Sequence, residues 1–296
     1  MKEHKIRKIG LFPLLCYTFF LSHFFFLFYG RNIILISQND TILSCLVGMI
    51  FNLLLFSLLL KIRKKEITIP SKMKKGIALF LSILLLFLLI IILKDAVYFV
   101  KMHYLPEGHF FSLFLLFLIL TLIISNRNIS SVTSLAFLLF FLFVPLFLSS
   151  FIGSFPLFNL SYLKPLITTN FKTVLEGALL FSFYTMTPLL LLLFVPYHTI
   201  VQKEKQNKYL YFALILSNLC TLLGYFMILF GTSFTYGATY EFPFMILVRK
   251  VSGFLNFNRF YYLFSPYLLF DCIIFLGGIV TTLKSQLLLL FPKRKR

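Results

Sequence analysis

Long apolar runs alternate with short polar stretches along the whole chain. Each residue of an α-helix adds about 1.5 Å, so crossing about 30 Å of hydrocarbon takes about 20 mostly apolar residues. Runs of that kind predict eight membrane-spanning helices, at residues 9–29, 42–60, 77–100, 109–125, 132–151, 174–196, 209–230 and 263–283. The expected fold is therefore an all-α polytopic membrane protein, a single transmembrane domain over residues 1–296. The first run follows the basic segment MKEHKIRK, as a secretory signal would. Its apolar part is too long and no A-x-A-like site follows, so an uncleaved anchor is expected. Residues 152–173 and 231–262 are expected as outer loops. The second of them contains an apolar half-span, 242–251, too short to cross and expected to lie at the interface or re-enter against protein.

Charge orients these spans. With both termini and every second loop on the cytoplasmic side, 20 of the 28 Lys and Arg residues lie there against only three acids, Glu3, Glu66 and Glu204. That side carries a net +17, and everything else a net +2. The excess of Lys and Arg in cytoplasmic loops predicts an N-in, C-in topology with an even number of spans. Composition agrees with a membrane location. Some 60% of residues are apolar, only 12% are charged, and mean hydropathy is +0.96, which leaves too few polar groups to cover a water-facing surface. The overall charge of +19 would suggest nucleic acid in a soluble chain; here topology accounts for it, and no nucleic-acid partner is expected. Trp is absent, so Tyr must supply the interfacial belt, with Tyr98, Tyr104, Tyr162, Tyr236, Tyr240, Tyr261, Tyr262 and Tyr267 on the outer side.

Little in the chain points to catalysis. No HExxH, GxSxG, GxxxxGK[ST] or GxGxxG pattern occurs, the five histidines are isolated, and the four cysteines (Cys16, Cys45, Cys220, Cys272) have no CxxC spacing. No enzyme activity, metal or cofactor is expected. Ionisable groups within the spans are the better guide, because burying one costs about 2.5–3.5 kcal/mol on insertion scales. Lys94 and Asp95 are adjacent and face different sides of their helix; both either snorkel to the outer interface or serve a site. Glu176 is expected in the first turn of its helix, facing the positive dipole end. Asp271 lies deep in its span with no partner in sequence and is the strongest candidate for a buried functional carboxylate. His23 is either a hydrogen-bonded packing residue or part of a site. The sixth span places Ser182, Tyr184, Thr185 and Thr187 just before Pro188, where a kink near Tyr184 is expected. Hydroxyls at such a kink are either self-satisfying or ligand-facing. Pro145 and the pair Gly277-Gly278 are assigned to helix packing.

Four blocks carry a resemblance: KIRKIGLFPLLCYTFFLS followed by ISQNDTILS; YLPEGHFFSLFLLFLILTLIISNRNISSVTSLA; LSYLKPLITTNFKTVLEGALLFSF; and YEFPFMILVRKVSGFLNFNRFYYLF. In these, and in their order, the chain resembles the spore germination permeases, the GerAB-type B subunits of nutrient germinant receptors, of the amino acid/polyamine/organocation superfamily. The E-F-P-x-x-x-L-V-R segment is the most specific part. The resemblance implies an inverted-repeat amino acid permease fold, here lacking its last two helices, with a cavity between the first, third, sixth and eighth helices. It implies that Ser22 and His23 face that cavity together with the Pro188 hydroxyl cluster, and that residues 242–251 cap it. The candidate ligand-binding set is Ser22, His23, Asp95, Tyr98, Ser182, Tyr184, Thr185, Thr187 and Asp271, with Asp95 or Asp271 meeting an ammonium group. The implied role is a germinant-receptor subunit that binds a small nutrient, an amino acid, and signals to A- and C-type partner subunits. Its place would be the cell membrane, as a multi-pass protein in contact with lipid, and specifically the spore inner membrane. The competing readings are an amino acid secondary transporter and a degenerate, non-binding paralogue that acts only in assembly. In departure from the family pattern, the middle of the first helix, FFLSHFFFLF, is bulky where small residues are usual.

Overall fold

A helix that is apolar on every face must be buried in protein or in lipid. In the computed structural model, which describes residues 8–64, 71–126, 129–163, 170–195, 199–254 and 260–291, both outcomes occur side by side. Among the described residues there are nine α-helices: α1 (Leu11–Ser37), α2 (Thr41–Lys64), α3 (Ser71–His103), α4 (Phe110–Asn126), α5 (Ile129–Ser154), α6 (Phe171–Leu189), α7 (Gln206–Thr239), α8 (Pro243–Phe254) and α9 (Phe260–Leu290). The bulky FFLSHFFFLF stretch makes α1 the axis of the bundle. Phe19, Phe20 and Phe24 are fully buried there, and α5, α6, α7 and α9 surround the helix. Rings interlock around it: Phe24 meets Phe275 of α9 at 4.5 Å between centroids, Phe26 meets Tyr225 of α7 at 4.8 Å, and Phe19 meets Phe143 of α5 at 5.2 Å. In α3 and α4, by contrast, large apolar side chains such as Phe80, Phe87 and Phe111 are mostly exposed, as a lipid-facing wall requires.

Six segments are long and apolar enough to cross a membrane: Leu11–Arg63, Lys75–His103, Ile129–Leu157, Phe171–Phe194, Gln206–Thr239 and Pro266–Leu290. The first holds two helices, α1 and α2, divided by a 3₁₀ turn at Gln38–Asp40, where Gln38 takes φ 49°. The 17-residue α4 is shorter, roughly 26 Å long at 1.5 Å per residue. The chain is thus an all-α, multi-pass membrane protein.

One end of the bundle is tied together by backbone. The Ile9 N–H donates to the Thr199 carbonyl at 2.8 Å, and the Val201 N–H returns the bond to Ile9 at 3.0 Å. Arg63, near the end of α2, donates to the Val195 carbonyl at 3.2 Å. The N-terminal segment, the end of α2 and the α6–α7 connection therefore share one face, with Lys8, Lys205 and Lys208 beside them. Further cations at Lys2, Lys5, Arg7, Lys65, Arg127 and 293–296 lie outside the described residues, as do Pro196 and parts of both long outer connections, 164–169 and 255–259.

Several local expectations are corrected. The helix containing Pro188 stays α-helical to Leu189, carrying the proline inside it, and passes into a 3₁₀ segment over Leu190–Phe194. Glu176 is not in the first turn, because α6 begins at Phe171; it sits one turn further on, in an exposed pair with Lys172 at 3.9 Å. Tyr267 is not in an outer belt but buried, against Phe20, Phe143 and Phe264. The loop expected at 231–262 is largely helical. α7 runs on to Thr239 through a break at Ser233 (φ 68°, ψ 162°), and the half-span becomes α8, packed on α5, α7 and α9 with Phe244, Leu247 and Val248 buried and Arg249 and Lys250 exposed.

Candidate functional site

The outer ends of α1 and α3 and the turn between α7 and α8 enclose a cavity of about 200 Å³. It is lined by Phe28, Tyr29, Arg31 and Asn32 from α1, Asp95 and Tyr98 from α3, and Glu241 and Phe242 from the turn. Tyr29, Arg31 and Asn32 lie close together near the end of α1, and Asp95 and Tyr98 are three apart on α3, so each helix turns two or more polar groups toward one space. Arg31 donates through Nε to the Ala238 carbonyl at 2.6 Å, which clasps the outer segment of α7 and leaves the two terminal guanidinium nitrogens. The Tyr29 hydroxyl donates to Asp95 Oδ2, and the Tyr98 hydroxyl hydrogen-bonds Glu241. One planar cation and two carboxylates thus share a cavity with four aromatic walls. That arrangement suits a small molecule carrying both charges: a carboxylate matches the guanidinium fork, and an ammonium matches Asp95 or Glu241.

A second, much smaller space of about 10 Å³ is lined by Ser22, Phe26, Ile33, Phe181, Tyr184, Thr185, Thr221 and Tyr225. The predicted hydroxyls gather here, but their hydrogens are taken up by protein. Ser22 donates to the Thr18 and Phe19 carbonyls, Thr185 to the Phe181 carbonyl, and Ser182 across to the Gly48 carbonyl of α2 at 3.0 Å. The Tyr184 hydroxyl accepts from Asn32 Nδ2 at 2.8 Å, and its ring stacks on Phe25 at 5.5 Å and 8°. His23 is fully buried, with Nδ1 3.0 Å from the Thr221 hydroxyl and Nε2 without a partner among the described residues. Thr187 is half-buried and lines neither space.

Asp271 stands apart. It is fully buried in α9, neither carboxylate oxygen has a hydrogen-bond partner among the described residues, and the Tyr267 hydroxyl group belongs to the residue one turn back on the same helix. Lys94, next to Asp95, is exposed. The nine sequence-predicted residues thus divide into an outer pair (Asp95, Tyr98), an inner group (Ser22, Tyr184 and Thr185, with His23 and Ser182 beside them) and two outliers, Thr187 and Asp271. Sequence reasoning missed Tyr29, Arg31, Asn32, Thr221 and Glu241. Glu241 was visible as the acid of the YEFPF block and Arg31 as the charge ending the first apolar run; nothing in the sequence marks Thr221. Among the described residues, no group of three His, Cys, Asp or Glu side chains could hold a metal ion.

Comparison with known proteins adds one finding. A family model described as spore germination protein matches residues 16–291. No curated protein and no solved structure gives a match.

Proposed function

Because this chain belongs to the spore germination protein family, we propose that it is the B-type, membrane-embedded subunit of a nutrient germinant receptor, and that its outer cavity binds an amino acid. The observation that carries this reading is the charge set of that cavity. Arg31, Asp95 and Glu241 surround about 200 Å³ of space, with Tyr29 holding the Asp95 carboxylate in place. A free amino acid presents a carboxylate and an ammonium group close together, and a site offering only one sign of charge would leave one of them unpaired and desolvated. Phe28, Tyr29, Tyr98 and Phe242 supply apolar wall for the side chain and aromatic faces for the ammonium. Occupancy reaches partner A- and C-type subunits through the elements the cavity joins: Arg31 holds α7 at Ala238, and Asn32 holds α6 at Tyr184. The protein acts in the inner membrane of the spore.

The test is germination of spores that carry the gene, lack it, or carry it as Asp95→Asn or Lys94→Gln. Deletion should abolish the response to at least one amino acid. Lys94→Gln, at an exposed position, should restore that response and Asp95→Asn should not. Germination of the deletion strain that is unchanged with every nutrient tried would sink the assignment.

A further inference from the structure

The charges lining the outer cavity do not balance. Arg31 supplies one positive charge, and Asp95 and Glu241 supply two negative ones. Neither carboxylate lies within 4.0 Å of the guanidinium, since the only ion pair of that length among the described residues is Lys172–Glu176. Arg31 directs its Nε to the Ala238 carbonyl, and the hydrogen-bond partners of Asp95 and Glu241 are the uncharged hydroxyls of Tyr29 and Tyr98. A hydroxyl donor orients a carboxylate and leaves its charge uncompensated. Cations on the flanking helices do not restore the balance. Lys94 is exposed beside Asp95 without lining the cavity, Arg249 and Lys250 are exposed on α8, and the Lys250 ammonium sits over the Tyr236 ring at 4.7 Å. Charges held in solvent outside the walls are screened over about 8 Å at physiological ionic strength, whereas those inside meet a ligand at contact distance.

We propose that the outer cavity selects a basic amino acid, one whose side chain ends in a second ammonium or in a guanidinium; this rests on the amino acid reading above and narrows it. A neutral amino acid brings one charge of each sign. It pairs Arg31 and one carboxylate, and leaves the other carboxylate partly dehydrated without a counter-charge. A basic amino acid brings one carboxylate and two cations, the inverse of the set on the walls. Asp95 is half-buried and held by Tyr29, while Glu241 is exposed on the turn before α8. The α-ammonium therefore falls to Asp95, and the side-chain cation, on its longer and more mobile arm, reaches Glu241 at the solvent edge. Between them the methylene stem lies against Phe28, Tyr98 and Phe242, as lysine and arginine stems do on other apolar surfaces. Glu241 is in this sense a specificity-determining residue, which reads the charge of the ligand's side chain. An acidic amino acid would set a second carboxylate against walls that already carry two.

Thermal unfolding of the purified full chain with lysine, norleucine or glutamate tests this. Norleucine has the lysine stem without its ammonium, and glutamate reverses the sign of the side chain. Lysine should stabilise at the lowest concentration, norleucine at a higher one and glutamate least of all. Glu241→Gln, at an exposed position, should weaken lysine about two- to fivefold, the size expected of an ion pair at the solvent edge, and leave norleucine unchanged. Added salt should shrink the advantage of lysine in the wild type. Norleucine binding as tightly as lysine, or a Glu241→Gln variant that weakens both ligands alike or neither, overturns the charge rule and leaves an amino acid site standing. A wild type stabilised by other amino acids but by none of these three overturns it too. Stabilisation by no amino acid at all removes the amino acid reading along with it.

Discussion

Arg31 offers the sharpest test of the amino acid reading, because its two roles can be separated by the choice of ligand. Its Nε holds the Ala238 carbonyl at 2.6 Å, a structural clasp, while its terminal nitrogens are available to a ligand carboxylate. A hydrogen bond to a charged group is worth about 1.5–3 kcal/mol net. Arg31→Ala should therefore raise the dissociation constant of a bound amino acid by about ten- to a hundredfold. Arg31→Lys keeps the charge but loses the planar fork, so it should fall between the two. The assay is thermal unfolding of the purified protein over a concentration series, since a ligand that binds only the folded state stabilises by about 2.7 kcal/mol at a hundred times its dissociation constant. Each amino acid that stabilises the wild type is compared with its decarboxylated amine. Loss of the clasp alone would weaken both ligands equally. Loss of the carboxylate partner weakens the amino acid and leaves the amine nearly unchanged. Equal weakening of both by Arg31→Ala would refute the reasoning and reduce Arg31 to a structural tie.

Four further outcomes are expected. Asp95→Asn leaves an acceptor for the Tyr29 hydroxyl but removes the charge, so it should weaken ammonium-bearing ligands about tenfold while sparing carboxylates that lack an amine, measured by the same thermal shifts. Gly177→Ala would bring a methyl group onto the Ser37 hydroxyl and within 2.9 Å of the Ser44 hydroxyl; overpacking of about 1–3 kcal/mol should exceed the helical gain of about 1 kcal/mol, and a melting temperature at or above wild type would contradict this close three-helix junction. Asp271→Leu removes a buried carboxylate that no neighbour among the described residues satisfies, so unfolding should show unchanged or greater stability, by up to about 2 kcal/mol; a destabilised protein would reveal a partner for Asp271. A single cysteine replacing Ser161 should react with an impermeant maleimide on intact cells, and one replacing Lys205 only after permeabilisation; the reverse pattern would invert the topology.

The outer cavity was half legible from the chain. Asp95 stood out because an ionisable group inside an apolar run is costly and so calls for a partner, while Tyr98 was expected in the interfacial tyrosine belt and in the candidate set. Arg31 and Glu241 looked like ordinary charges at the ends of apolar runs, and only their meeting across the bundle makes them part of a site. The Pro188 hydroxyls were found for a sound reason, a freed backbone, but in the closed bundle Ser182 and Thr185 donate to backbone carbonyls, and of that cluster Tyr184 alone binds another side chain near the outer cavity.

What the sequence determined by itself was whatever hydrocarbon enforces locally: helix as the backbone's state, the approximate place of each long apolar helix, and the side on which the cations gather. Each follows from the cost of an unpaired backbone group or a charge in lipid, and needs no knowledge of neighbours. Tertiary structure alone decided which apolar helix faces lipid and which faces protein. FFLSHFFFLF at the bundle axis and the exposed rings of α3 read alike as sequence, since lipid tails and Phe side chains are equally apolar partners. It also decided that α7 breaks at Ser233, and that the end of α1, the last third of α3 and the α7–α8 turn close on one cavity. Those outcomes depend on how side chains distant in the chain interlock, and the period of hydrophobicity along one segment carries no record of that.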